Sequence, residues 1–306
     1  EGHQNDTNNT VSFTLFNPAV LDLFNLKNIA AYTKQDRTYK SNSDDSHHIY
    51  DNIKYSVSAE IYNLKKIKQT ASFSFEYTHL NSTNSGIHNQ VSGVFKETTK
   101  FYINNYFSAS IPMALKFCGK NLAFVPKLGF AITTPFLDIK IDGYRMIQFP
   151  NMDDLYWNGG SFKGNPDLKP EKGWGADLTF DIKNKFLPFS LNFFANTYED
   201  KITWSGNRTK NEKSAFYFGI DFNLKKTFFN DIFELRSSGE YLYNRLTDKS
   251  DSLTYGNRIM WTPDFTGTLS AKLNFKRWDF TLTGSYTGKR YKSNLNISYL
   301  EPYTLL

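Results

Sequence analysis

Apolar and polar residues alternate with period two along most of the chain. Leu269, Ala271, Leu273 and Phe275 alternate with Ser270, Lys272 and Asn274; two residues later Trp278, Phe280, Leu282, Gly284 and Tyr286 alternate with Asp279, Thr281, Thr283 and Ser285. Successive side chains of an extended strand point to opposite faces, so the pattern predicts strands with one apolar and one polar side. Lys276-Arg277 then forms the tip of a tight hairpin. The same signature runs through Tyr55/Val57/Ala59/Ile61, Ala71/Phe73/Phe75/Tyr77, Leu137/Ile139/Ile141, Ala176/Leu178/Phe180/Ile182, Leu187/Phe189/Leu191/Phe193 and Phe218/Ile220/Phe222/Leu224.

The predicted connections are of two alternating kinds. Short ones fall near 63–68, 111–113, 133–136, 184–186, 226–231 and 276–277. Longer ones, rich in Asn, Ser, Asp and Gly, fall near 37–51, 79–97, 148–171, 200–213 and 245–262, with a short one near 119–121 as the exception on that side. The N-terminal stretch Glu1-Gly2-His3-Gln4-Asn5-Asp6 reads as a loop entered midway, with no signal peptide. The expected architecture is all-β: about fourteen strands of an antiparallel up-and-down meander, several near the ~9–11 residues of a tilted membrane span. Tight turns at one end and long loops at the other are the habit of outer-membrane barrels. A large soluble antiparallel sandwich or propeller would show the same alternation, although no blade-length repeat favours a propeller.

Composition sharpens this reading. The mean hydropathy of −0.52 would suit a soluble protein, but barrel strands average to a polar value because lumen-facing and lipid-facing residues alternate. No run approaches the roughly 20 apolar residues of a spanning helix. The aromatic content is the anomaly, with 28 Phe, 19 Tyr and 5 Trp, 17% of the chain; interfacial girdles use rings heavily. Cys118 is the single cysteine, which excludes an intramolecular disulfide framework and a cysteine zinc site. The net charge of +6 is spread along the chain and not gathered in a stripe; even the densest cluster, Leu64-Lys65-Lys66-Ile67-Lys68, reads as a turn, so no nucleic-acid partner is expected.

Two linked segments are more specific. Pro150-Asn151-Met152-Asp153-Asp154-Leu155-Tyr156-Trp157 is followed by Gly164-Asn165-Pro166-Asp167-Leu168-Lys169-Pro170-Glu171. Together they resemble the signature of TonB-dependent outer-membrane receptors, most like the cobalamin and ferric-siderophore group. Phe124-Val125-Pro126-Lys127-Leu128-Gly129 and Glu301-Pro302-Tyr303-Thr304-Leu305-Leu306 are similar to further stretches of that family, in the family's order. Departures are Gln148 where the family usually has arginine, and Asn151 and Asp153 for its Thr and Asn. Glycan importers of the family tend to carry Trp where Pro170 stands, which argues mildly against a glycan. As a physical object, the motif is a structural device: Pro150, Asp154, Leu155, Asn165, Pro166, Leu168, Lys169, Pro170 and Glu171 return a long external loop to the barrel rim, Asn165-Pro166 starting a turn and the prolines fixing φ.

The resemblance implies a 22-stranded barrel in the bacterial outer membrane, filled by an N-terminal plug whose short segment engages the TonB energy-coupling protein. Residues 1–306 would be the partial barrel domain, about strands six to nineteen, with plug and terminal strands lying outside them. The implied function is active uptake of a scarce ligand, cobalamin or a ferric siderophore, by a monomer surrounded by outer-membrane lipid, with no cofactor of its own. A plug-less porin, adhesin or structural barrel, or a non-functional receptor fragment, is the alternative.

Candidate chemistry is sparse. His47, His48, His79 and His88 fall in two predicted external loops; their spacing matches no metal site, so they are read as solvated and no metal is expected. Tyr156 and Trp157 in the longest loop, and Trp204 at the rim of another, could stack on a flat ligand or anchor the lipid interface. There is no Gly-x-Ser-x-Gly elbow, and Asp177, Asp181, Glu234 and Glu240 read as polar wall residues, so no enzyme is expected.

Overall fold

A computed structural model describes residues 3–20, 23–40, 45–61, 65–184, 186–211, 214–275 and 277–306. In chain order the elements are β1 (His3–Val20), β2 (Phe24–Lys40), β3 (Asp45–Ile61), β4 (Ile67–Ser82), β5 (Gly86–Tyr102), β6 (Phe107–Cys118), β7 (Asn121–Thr133), β8 (Leu137–Gln148), α1 (Met152–Tyr156), β9 (Asn158–Gly159), β10 (Phe162–Lys163), β11 (Glu171–Ile182), β12 (Phe189–Glu199), β13 (Ile202–Ser205), β14 (Arg208–Asn211), β15 (Ala215–Phe228), β16 (Phe233–Leu246), β17 (Phe265–Phe275), β18 (Trp278–Thr287), β19 (Arg290–Tyr291), β20 (Tyr299–Leu300) and β21 (Tyr303–Leu305). Fifteen of these strands form one sheet in the order β1 to β8, β11, β12, β15 to β18, β21, and every neighbouring pair in the register is antiparallel. The wall is therefore a sequential meander with β1 and β21 at its edges.

The register converts the period-two sequence into two chemically distinct faces. One cross-strand row runs Ile139, Phe180, Leu191, Phe222, Gly239, Gly267; the row beside it, one residue along, runs Lys140, Thr179, Asn192, Asp221, Glu240, Thr266. The apolar face continues on β18, where Phe280 and Leu282 are 58% and 65% exposed. Water cannot be the solvent of so wide an apolar surface, whereas hydrocarbon can. A cleft of about 630 Å³ opens among polar-face side chains that include Asp181, Ser190, Asn223, Arg236, Thr268 and Thr283. That face is also cross-linked: Lys140 Nζ reaches Asp181 at 2.8 Å, Lys127 Nζ reaches Asp142 at 3.2 Å, and Tyr144 Oη donates to Asp177 at 3.0 Å. At one position the polar face needs a glycine: the Phe194 ring lies across Gly219, where a Cβ would come within 2.2 Å of it.

Three expectations are corrected. Of the N-terminal stretch expected to be a loop, the residues from His3 onward are strand; among the described residues the wall has fifteen strands, in keeping with the about fourteen expected. The long loops expected at 37–51 and 79–97 are mostly strand: β2 and β3 reach Lys40 and Asp45, and β4 and β5 leave only 83–85 between them. The reason is length. β3 has 17 residues, about 55 Å at ~3.3 Å per residue, against an apolar band of ~25 Å, so its outer part has water on both sides and loses its apolar alternation. The connection expected at 111–113 lies inside β6, and the turn is at 103–106. There the β6–β7 ladder skips from Ser110↔Gly129 to Met113↔Pro126 without a change of register. Pro112 and Pro126 have no N–H to donate, so both sit where the ladder is interrupted. Of the predicted connections, residues 41–44, 63–64, 185, 212–213 and 276 lie outside the described residues.

A charge placed at the centre of the apolar face should therefore cost far more than one on the polar face. Phe180→Arg is expected to lower unfolding stability by about 2–4 kcal/mol, and Asn223→Arg, which lines the polar cleft, by less than half of that. Equilibrium urea unfolding of the complete receptor in lipid vesicles checks the pair.

Candidate functional site: the motif loop and the strand ends it covers

The loop from 149 to 170 leaves the wall at Gln148 and returns at Glu171, residues that face each other in the register. Its first turn is α1, set by a reciprocal cap: Asp154 N donates to Asn151 Oδ1 at 2.7 Å, and Asn151 N donates to Asp154 Oδ2 at 3.2 Å. Burial beside Asp153 holds the Asp154 carboxyl above the usual carboxylate range, and the Asn151 N–H partly offsets this. Gly164 closes the loop by donating to Trp157 O at 2.6 Å; a Cβ there would fall 2.7 Å from the Leu155 carbonyl carbon and the Tyr156 nitrogen.

The second half of the motif is tied to the next loop, chiefly through main-chain groups. Asp154 O accepts from Asn165 N at 2.8 Å and from the Thr209 hydroxyl at 2.7 Å, Thr209 being fully buried. Asn165 Oδ1 accepts from Asp167 N and Arg208 Nη2. Asn211 clamps Lys169 on both sides, its Oδ1 accepting from Lys169 N at 2.7 Å and its Nδ2 donating to Lys169 O at 2.8 Å. Glu171 is buried and accepts from Ile202 N at 2.8 Å. Pro150, Met152 and Leu168 are buried, Leu155 is half-buried, and Pro166 and Lys169 are exposed. Four short strands, in the order β13, β14, β10, β9, join the two loops into one outer sheet.

The loop does not stop at the rim. It folds onto the polar face of the long N-terminal strands. The Tyr156 ring stacks on His88 of β5 with centroids 3.7 Å apart and planes 5° apart; Trp157 stacks on His48 of β3 at 5.5 Å and 21°. Tyr50 Oη donates to Asp153 at 3.1 Å. A cup of about 280 Å³ lies beneath, lined by Arg37, Tyr39, His48, Tyr50, Asp153 and Trp157. Of the three aromatic candidates, Tyr156 and Trp157 are thus brought together. Trp204 is not with them: it sits on β13, edge-on to Phe162 at 6.2 Å.

All four histidines lie in strands, which corrects their placement in loops, while His47 remains exposed. His47 and His48 are neighbours with opposite fates. His47 meets Asp36 at 2.8 Å on one face, whereas His48 is buried on the other, its Nδ1 2.7 Å from Ser82 Oγ. His88 Nε2 donates to Ser85 O at 2.6 Å, and His79 Nδ1 donates to Asn89 Oδ1 at 2.7 Å. Among the described residues no group of three His, Cys, Asp or Glu could hold a metal ion. Sequence reasoning missed Arg37, Tyr39, Tyr50, Thr209 and Asn211. For the strand residues a signal exists: carrying the phase of Ile53 and Tyr55 outward along β3 places Tyr50 and His48 on the polar face.

A meandering wall with an apolar outer face, a cross-linked polar inner face and a loop folded over its mouth defines the wall of a bacterial outer-membrane β-barrel. The chain belongs to the family described as TonB dependent receptor-like, beta-barrel, whose profile matches residues 119–306. This is a family of transporters and not of enzymes. Over 163 residues the chain is 28% identical to the vitamin B12 transporter BtuB of Vibrio vulnificus (strain YJ016), an alignment covering 51% of this chain and 24% of the relative. The fold superposes on the siderophore receptor PirA from Acinetobacter baumannii with a TM-score of 0.76 at 13% identity, covering 98% of this chain and 55% of that one. It also superposes on the copper transporter OprC with a TM-score of 0.77 at 8% identity, covering 99% and 56%. The chain spans about half the length of these solved structures.

Two substitutions test the loop. Gly164→Ala forces the Leu155–Tyr156 backbone to move, so proteases should cut within 149–170 at least about tenfold faster, a ~1.4 kcal/mol opening. Because the folded carboxyl of Asp154 titrates above its unfolded value, ionisation costs the closed loop stability at pH above the folded pKa. That cost disappears as pH falls through it toward the unfolded value. Protection of the loop should therefore rise on mild acidification, and Asp154→Asn should flatten this dependence.

Proposed function

We propose that this chain is the wall of a receptor that takes up a scarce ligand, cobalamin or a ferric siderophore, across the outer membrane with energy delivered through TonB. The observation that carries the reading is the motif loop folded over the polar face, making a cup of rings and one guanidinium at the outer mouth. A planar or aromatic ligand of low abundance suits such a cup: the ring faces of Tyr39 and Tyr50 offer stacking surface, and Arg37, paired with Asp6 at 3.0 Å, supplies a cation. Family membership and the partial identity to a vitamin B12 transporter support the same class. On this reading the polar face, with its exchangeable ion pairs and hydroxyls, is where a plug is held. An open sheet edge cannot lie in hydrocarbon, so the wall transports only when β1 and β21 are paired with further strands.

The test is uptake by cells carrying the complete receptor, with radiolabelled cobalamin and a ferric catecholate offered separately. Saturable uptake of one of them that disappears when TonB is deleted is expected, and Trp157→Ala should weaken binding about tenfold, ~1.4 kcal/mol. Permeation of small solutes that ignores TonB would instead mark a plug-less pore.

A further inference from the structure

The polar face is not electrically uniform. From β8 to β16 it is acidic, carrying Asp142, Asp177, Asp181, Asp221 and Glu240, and the lysines beside these acids are engaged: Lys127 pairs with Asp142 at 3.2 Å and Lys140 with Asp181 at 2.8 Å. From β2 to β6 the sign reverses. Three successive rows of that face read Lys54, Glu76, Ser92, Cys118; then Ser56, Ser74, Val94, Lys116; then Lys27, Ser58, Ser72, Lys96, Ala114. Four lysines stand there against one carboxylate, and that one, Glu76, already accepts from Asn52 Nδ2 at 2.6 Å.

None of the four lysines has an ion-pair partner among the described residues. Lys54 and Lys96 are exposed and Lys116 is half-buried. Lys96 and Lys116 are diagonal neighbours on β5 and β6, about 7–8 Å apart, close enough for like charges to repel. Lys27 and Lys96 share a row and are separated by strand spacings of ~4.8 Å that sum to about 14 Å. Serine hydroxyls, from Ser56, Ser58, Ser72 and Ser74, occupy the ground between them. The patch stands on the strands that carry the cup, with Lys54 lying about 20 Å along β3 from His48 at ~3.3 Å per residue. In a passage with low-dielectric walls, a patch of one sign focuses its field and concentrates counter-ions. Ammonium groups only donate and hydroxyls readily do, so the occupant they fit is an anion rich in oxygen acceptors.

We propose that Lys54, Lys96 and Lys116, with Lys27 beside them, form an anion-guiding patch that selects a multiply anionic ferric chelate as the ligand passing beneath the cup. The inference rests on the uptake reading above and narrows its ligand class. In a ferric tris-catecholate the charge of the oxygen donors outweighs that of iron(III), and those oxygens face outward to accept from ammonium and hydroxyl. Cobalamin brings no such excess of negative charge, so the patch favours the chelate over the corrin.

Cells carrying the complete receptor are offered a ferric tris-catecholate and radiolabelled cobalamin separately, and initial uptake rates are normalised to receptor in the outer-membrane fraction. Wild type should take up the chelate in a TonB-dependent manner. Lys54→Gln with Lys96→Gln and Lys116→Gln should lower its maximal rate about tenfold, the combined effect of three part-exposed charge contacts. The half-saturating concentration, set at the cup, should stay nearly unchanged, and Arg at the same three positions should keep most of the rate. Lys116→Gln alone, expected to lose about twofold, carries the test if the triple variant does not reach the membrane. A Gln variant that transports the chelate at the wild-type rate overturns the patch. TonB-dependent uptake of cobalamin but not of the chelate overturns it too, and leaves the uptake reading standing. A lost rate accompanied by TonB-independent entry of small solutes also overturns it, because the lysines then hold the plug. TonB-dependent uptake of neither ligand by wild type overturns the uptake reading and the patch together.

Discussion

In hydrocarbon no water is available to a backbone N–H or C=O, and each group left unpaired costs several kcal/mol. The rest of this structure answers that constraint. The antiparallel ladders run from β1 to β18 with few breaks, and the clearest of them, between Ser110 and Met113, falls where Pro112 and Pro126 have nothing to donate. Because the ladder satisfies the main chain without help, side chains are released to serve two solvents. The row through Phe180 meets lipid, and the row through Thr179, one residue away, stays polar. Glycine enters where a neighbouring ring must lie flat on the wall, as Phe194 does on Gly219.

Where the strands rise past the apolar band the constraint lifts, and a different bonding economy takes over. The loop at 149–170 has little ladder, so side chains serve its main chain: Asn151 caps α1, Asn211 brackets Lys169, Glu171 takes Ile202 N, and Thr209 takes Asp154 O. This explains why a motif rich in Asn, Asp and Pro marks the loop. These residue types bond backbone locally or fix its dihedrals, and lose nothing by being outside a helix or sheet. The loop then spends its two large rings on His48 and His88, which fixes the loop's position over the mouth.

The part of the fold legible in the sequence is the part immersed in two solvents. Leu137/Ile139/Ile141 and Ala176/Leu178/Phe180/Ile182 announce their strands because each position must choose between lipid and water. Asp45-Ser46-His47-His48 and Gly86-Ile87-His88 do not, since both faces there are wet and a polar strand has the composition of a loop. The tight turn at 103–106 was hidden behind Pro112, a residue that ordinarily ends strands but here occupies a gap in one. For the site, the motif residues were visible because their types are those that make turns. Their partners Thr209 and Asn211 were not, because nothing local in β14 says that another loop will lie against it.

The division of labour between wall and loop follows from energetics. Ion pairs such as Lys140–Asp181 and Lys127–Asp142 are part-exposed on the polar face, and pairs of that kind are worth only ~0–1 kcal/mol each. They cannot be what holds the wall together; the ladder does that. What they provide is a surface whose polar groups exchange partners cheaply, so a body resting against it can be held and released without disturbing the strands. The stacked loop is the opposite case: its buried carboxylate, fully buried hydroxyl and paired rings each have one geometry that satisfies them. Rigidity at the mouth and exchangeability along the face are therefore written into one chain by the same alternation, read in lipid on one side and in water on the other.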